Sequence, residues 1–181
     1  MEPEVHIIEK YFQEVLHCFT MTNIKCKGGK EIDLLAIHPK TQKRFHVEAK
    51  VSISKGFALR EIDTCTSKGR ALKRGLDYFC KEKFEHPYVK EKINEIFGDS
   101  NCYKKILCIG EWELNQPMVL ATAYEKYGIL VINILGLIQD LIELKATKGS
   151  RDDILRTLEF ISHKDDAVTW QQSDMKRLLG V

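Results

Sequence analysis

The chain predicts an α/β domain in which one mixed sheet carries helices against it. Three observations point there: two short apolar runs at 31–37 and 44–50 separated by a turn-forming linker, helical periodicity on either side of them, and a strand, helix, strand series over 103–134. With 181 residues, 44% of them hydrophobic and 30% charged, the chain suffices for one well-cored domain and is short for two. Residues 1–134 read as its core and 135–181 as a helical extension at the C-terminal end.

The elements follow in order. Residues 4–20 predict an amphipathic helix with Ile8, Tyr11, Phe12, Val15, Leu16 and Phe19 on one stripe, and a first strand follows around Asn23–Lys27. Glu31–Ile37 and Arg44–Lys50 form a hairpin around His38-Pro-Lys-Thr-Gln-Lys43. A turn centred near Lys40 and Thr41 pairs residues whose numbers sum to about 81, which sets Ile37 against Arg44, Leu35 against His46 and Asp33 against Glu48. From Ala58 to Lys83, Leu59, Ile62, Cys65, Gly69, Leu72, Leu76 and Phe79 recur at helical spacing, with Arg60, Arg70, Arg74 and Lys81 opposite. Residues 84–101 read as a polar connection with a helical turn or two. Tyr103–Gly110 is a strand, Pro117–Tyr127 a helix with proline in its first turn, and Gly128–Ile134 a strand, which together imply a parallel crossover. Leu135–Lys145 and Arg151–His163 add two more helices.

Composition narrows the function classes. No run approaches the roughly 18–20 apolar residues of a membrane-spanning helix, and Met-Glu-Pro-Glu-Val-His is not the start of a signal peptide, so a cytoplasmic protein is expected. The six cysteines lack Cys-x-x-Cys spacing and the six histidines are scattered, which favours buried free thiols over a zinc site. Charge is uneven. From Lys25 to Lys90 there are 16 Lys or Arg against 8 Asp or Glu, although the whole chain carries only +2. A phosphate-rich partner would be drawn to that half.

That half also carries the most informative residues. Carboxylates paired directly across two strands stand only about 4.5–5.5 Å apart at Cβ and repel. A divalent cation would offset the repulsion, and Mg²⁺ takes one or two carboxylates together with waters and phosphate oxygens. Alternation returns Lys50 to the face of Glu48, where an ammonium can stabilise charge at a reacting phosphate. His46 shares that face, and the more ordinary expectation for it is a hydrogen bond to a neighbour.

Gly28-Gly29-Lys-Glu-Ile-Asp33-Leu-Leu-Ala-Ile, Val47-Glu48-Ala-Lys50 and the unit Ala121–Leu137 resemble the PD-(D/E)XK nuclease superfamily, particularly its Mrr-like, RecB-like and Holliday-junction-resolvase-like members. The order helix, three-strand meander, helix, strand, helix, strand is that of the restriction-endonuclease-like fold. The resemblance spans roughly residues 5–140. It implies a three-layer domain that hydrolyses phosphodiester bonds of DNA, with Asp33 and Glu48 as Mg²⁺ ligands and Lys50 assisting the attacking water. Many of these families add a glutamate from the first helix. At 100° per residue, Glu9 stands about 90° from the apolar stripe and Glu14 about 130°, so Glu9 is the better placed. Mn²⁺ should substitute for Mg²⁺, since oxygen-rich sites discriminate poorly between them. Lys43, Lys55, Arg70, Arg74 and Lys81 are the candidate phosphate contacts, a homodimer would cut both strands, and no nucleotide cofactor is expected. The alternative of another class is a non-catalytic nucleic-acid-binding or assembly module on the same fold.

Overall fold

A computed structural model describes residues 2–51, 59, 64–65, 71–72, 75–98, 102–110, 116–146 and 179–180. Helix α1 (Pro3–Glu14) starts with proline in its first turn, where the missing N–H costs nothing. It buries Val5, Ile8, Tyr11 and Phe12 and stops six residues short of the expected end. His17 adopts a left-handed conformation (φ 54°), and the Cys18 amide bonds back to Phe12 O at 2.8 Å. The chain therefore leaves the helix and enters β1 (Phe19–Lys25), which starts earlier than Asn23. Phe19 fits a helical stripe as well as a strand, but it is 70% exposed on β1 rather than part of the core.

A tight turn through Lys27–Gly29 leads into β2 (Glu31–Ile37). Gly28 has φ 64°, and a Cβ there would come within 2.8 Å of the Tyr88 ring, so both the turn and the packing call for glycine. Strand β3 (Arg44–Lys50) returns antiparallel in the expected register, Ile37 opposite Arg44 and Leu35 opposite His46. The turn between them closes with His38 N–H to Lys43 O and Gln42 N–H to His38 O, both 2.9 Å.

Beyond β3 the structure corrects the sequence reading twice. The long helix expected over 58–83 is interrupted by two short strands, β4 (Thr64–Cys65) and β5 (Ala71–Leu72), which pair antiparallel. Among the described residues of this stretch only Leu76–Tyr78 is α-helical (α2), and it continues as a wider π-type turn over Phe79–Phe84. The second correction is α3 (Pro87–Phe97), a full helix where a polar connection was expected. His86 caps it, accepting from Tyr88 N–H, and Val89 and Ile93 fill its buried face. Its alternating charges mask that narrow stripe.

Strand β6 (Tyr103–Ile109), helix α4 (Gln116–Tyr127) and strand β7 (Ile129–Asn133) form the expected crossover. The sheet order is β1-β2-β3-β6-β7, with the β3–β6 and β6–β7 pairs parallel. Alternation along the strands divides the core. Leu34, Ala36, Phe45, Val47, Ile106 and Cys108 meet α1 and helix α5 (Ile134–Ala146) on one face. Leu107, Ile109 and Ile129 meet Leu76, Phe79, Phe84 and Ala123 on the other, beside an α3 cluster of Ile32, Leu35, Val89 and Ile93. The result is an α/β domain with helices on both sides of a five-stranded mixed sheet. Tyr11 donates to Asp140 at 3.1 Å between α1 and α5, and Leu137 and Leu141 are fully buried, so α5 packs within the core. The expected helix Arg151–His163 lies outside the described residues. Among the described residues no helix is long and apolar enough to cross a membrane, and Cys18, Cys26, Cys80, Cys102 and Cys108 are free thiols.

The early end of α1 has a measurable consequence. Phe12→Ala should cost about 3–5 kcal/mol, whereas Phe19→Ala should stay within about 0.5 kcal/mol. Urea unfolding compares them, and a large loss at Phe19 would restore it to a buried helical stripe.

Candidate metal centre

Asp33 stands where β2 loses regular pairing on both sides. Toward β1, Thr22–Leu34 and Ile24–Ile32 are paired, but Asn23 opposite Asp33 is left-handed (φ 51°) and drops out of the ladder. Toward β3, the paired residues end at Leu34–Val47. The strand also rotates here. Period-2 alternation would set Ile32 on the face of Leu34 and Ala36, yet it packs with Leu35 against α3. With its backbone out of register, Asp33 uses its side chain instead: Oδ2 accepts from Ala49 N–H at 2.8 Å.

Glu48, one residue past the last β2–β3 pair, is held in the sheet by β6, opposite Leu107. Its neighbours Val47 and Ala49 point to α1 and α5, so Glu48 and His46 point to the π-type turn on the other side. Both are buried, with exposures of 1% and 0%. His46 Nε2 lies 2.8 Å from Glu48 Oε1, and the imidazole meets the Phe84 ring edge-on at 4.8 Å between centroids.

The cation at this site comes from the π-type turn. Lys83 Nζ lies 2.6 Å from Glu48 Oε2 and 3.8 Å from Asp33 Oδ1. At 2.6 Å the ammonium is a charge-assisted partner for the buried Oε2. The four carboxylate oxygens thus divide. Asp33 Oδ2 and Glu48 Oε1 are engaged by the Ala49 amide and His46, while Asp33 Oδ1 and Glu48 Oε2 converge on one ammonium. Wide turns of this kind recur at functional sites, and this one presents successive residues, Lys83 and Phe84, to the sheet.

Electrostatics follow from burial. Desolvation first, and then the Glu48 charge, push Asp33 up to about 7 against the lowering effects of Lys83 and the Ala49 amide. Desolvation likewise raises Glu48 to about 7, opposed by Lys83. The two carboxyls titrate as a pair. Burial acts to lower Lys83, but the Glu48 and Asp33 charges outweigh it and hold the ammonium above its usual value. Burial pushes His46 down to about 3, so its ring is neutral.

Asp33 opens onto a cleft of about 480 Å³ lined with Glu2, Asn23, Lys25 and Glu31. Three acids against one lysine would repel a phosphate unless a cation were bound first. Asp33 Oδ1 and Glu48 Oε2, which share one ammonium as counter-charge, suit a hard divalent ion in its place, and two carboxylates are a protein share that Mg²⁺ ordinarily takes. Among the described residues no group of three His, Cys, Asp or Glu side chains is gathered around a metal position.

The other sequence candidates fall elsewhere. Lys50 has the parity of Glu48, but it is exposed and makes no ion pair among the described residues. Glu9 accepts from Thr20 Oγ1 at 3.1 Å and Gln13 Nε2 at 3.3 Å on the α1 side, across the sheet from Glu48. Glu14, its competitor, is the last residue of α1 and half-buried. The α1-end acid that shares the cleft with Asp33 is Glu2, the residue just before the helix. Lys43 donates to Gly180 O and is engaged with the C-terminal end. Lys81 is 75% exposed beside Asp77 at 3.8 Å. Lys55, Arg70 and Arg74 lie outside the described residues. Lys83 escaped the sequence reading, although a signal was present: Leu72, Leu76, Phe79 and Lys83 fall at one helical spacing, which places a lysine on an apolar stripe.

No family model, curated protein or solved structure matches the chain.

A carboxyl held above its unfolded value binds its proton more tightly in the fold, so stability falls as pH rises from the ordinary carboxyl range near 4 to about 7 and is level beyond. In EDTA the urea midpoint should therefore drop across that window. Asp33→Asn, which keeps an acceptor for the Ala49 amide, should flatten the drop. A midpoint that rises from pH 4 to 7 in the wild type and no longer does so in Asp33→Asn would show instead that the pair stabilises the fold when ionised.

Proposed function

We propose that the chain is a divalent-cation-dependent nuclease acting on DNA, on a fold of the restriction-endonuclease-like type. The observation that carries this reading is the convergence of Asp33 Oδ1 and Glu48 Oε2 on one ammonium at the end of a broken strand pair, with Asp33 lining a cleft. The order of helix, three-strand meander, helix, strand, helix, strand supports the fold assignment, and the excess of Lys and Arg from Lys25 to Lys90 supports a polyanionic substrate.

Asp33 and Glu48 would hold Mg²⁺, with Mn²⁺ able to replace it. When bound, such a cation supplies Lewis-acid polarisation of a phosphoryl oxygen. The chain's own residues do the rest. The Ala49 amide and His46 orient the carboxylates, and Glu2 adds a further acid on the cleft wall. Lys83, 28% exposed, neutralises the pair without the metal and lies close enough to place its ammonium against a phosphate. Lys50, exposed at the end of β3, is the second candidate for that role. Cleavage of both strands would call for a homodimer with two such centres.

Supercoiled, linear, single-stranded and branched DNA, each with Mg²⁺, Mn²⁺ or EDTA, provides the test. Cleavage should require a divalent ion and fall by more than about a hundredfold in Asp33→Asn and Glu48→Gln, the scale for losing a preorganised group that stabilises developing charge. Lys83→Met should slow cleavage more than Lys50→Met. Equal activity in EDTA, or in both carboxylate variants, would remove the nuclease reading. DNA binding without cleavage under any of these conditions would favour the non-catalytic module.

A further inference from the structure

Glu48 is useful as a ligand only if one particular oxygen faces the cation. A glutamate carboxylate turns about a broad, two-fold terminal torsion, so something must stop Oε1 and Oε2 from exchanging and the head from swinging away. Backbone supplies this for Asp33, through the Ala49 amide at 2.8 Å. For Glu48 the nearest equivalent is His46, two residues earlier on the same strand face, with Nε2 at 2.8 Å from Oε1.

The imidazole is itself immobilised. It is fully buried, edge-on to Phe84 at 4.8 Å and tilted against Tyr103 at 5.9 Å between centroids. Once Glu48 is ionised, a neutral ring must donate from Nε2, which leaves Nδ1 a bare acceptor. Nδ1 has no hydrogen-bond partner among the described residues. A phenylalanine would fill the same space with no stranded nitrogen, so packing alone does not account for histidine here. Its one polar contact with a described residue is the carboxylate, and groups that orient metal ligands from behind are known to govern affinity.

We propose that His46 is a positioning residue which, as an Nε2–H donor, locks Glu48 Oε1 so that Oε2 alone is presented to a divalent cation beside Asp33. This rests on the metal-centre reading above.

The test measures Mn²⁺ binding to the full chain by calorimetry in wild type, Asp33→Asn, Glu48→Gln, and His46→Phe, His46→Gln and His46→Asn. Glutamine can place an amide N–H near the position of Nε2; asparagine is one bond too short. Phe and Asn should weaken Mn²⁺ binding by roughly 10- to 100-fold, and Gln should bind close to wild type. If Asp33→Asn and Glu48→Gln lose binding while Phe or Asn retains it, His46 is not a positioning residue and the metal centre stands. Should the Phe variant fail to fold, the Gln and Asn pair decides: equal affinities overturn the proposal. Wild type without saturable Mn²⁺ binding, or unchanged binding in Glu48→Gln, would overturn the metal centre and this inference together.

Discussion

The structure turns on the break in strand pairing at Asp33. A regular ladder would have carried Asp33 directly opposite Glu48, with two buried carboxylates facing one another and ordinary backbone bonds behind them. Instead, Asn23 leaves the ladder on one side and β3 stops pairing on the other, and the Asp33 side chain takes over the Ala49 amide. That contact fixes one carboxylate oxygen and leaves the other 3.8 Å from the Lys83 ammonium that also meets Glu48. An ionised pair so placed is costly under low dielectric, and the fold around it is arranged to meet that cost.

The arrangement draws on parts far apart in sequence. Parallel pairing with β6 holds Glu48 rigid after β2 has let go, while the π-type turn swings Lys83 across both carboxylates and lays Phe84 on the histidine behind them. The opposite side of the sheet is mostly apolar, with α1 and α5 joined by the Tyr11–Asp140 hydrogen bond. Both faces carry apolar clusters, and the face toward the π-type turn also holds the charged groups of the centre. The cleft beside Asp33 is lined by Glu2, just before the start of α1, and by Asn23, Lys25 and Glu31 of the β1–β2 pair.

Lys83 makes the centre self-contained. With the ammonium in place the two unengaged oxygens have a counter-charge, and a raised pKa keeps that ammonium protonated. A flexible four-carbon stem lets it move, as a rigid backbone donor could not. The same lysine thus serves the stability of the metal-free fold and, in the proposed function, charge at the substrate.

Local pattern determined a good deal by itself. The hairpin register from Leu34–Val47 to Ile37–Arg44, the β6–α4–β7 crossover and the nearness of Asp33 to Glu48 all follow from period-2 alternation, turn residues and strand length, which act over a few residues. Helix ends were less legible: the stripe through Phe19 suits helix and strand equally until the left-handed His17 decides, and the stripe through Cys65 and Leu72 hid a short strand pair. Only the tertiary structure decided which cation meets the carboxylates. Parity nominated Lys50 because it lies two residues from Glu48, yet an exposed strand end gains little from pairing. Lys83 reaches the pair because the π-type turn lies against β3, with Phe84 on His46, and spacing along the chain cannot show how two elements lie against each other. The break at Asp33 is equally a tertiary matter, since it depends on three strands and on α3 drawing Ile32 to its own side.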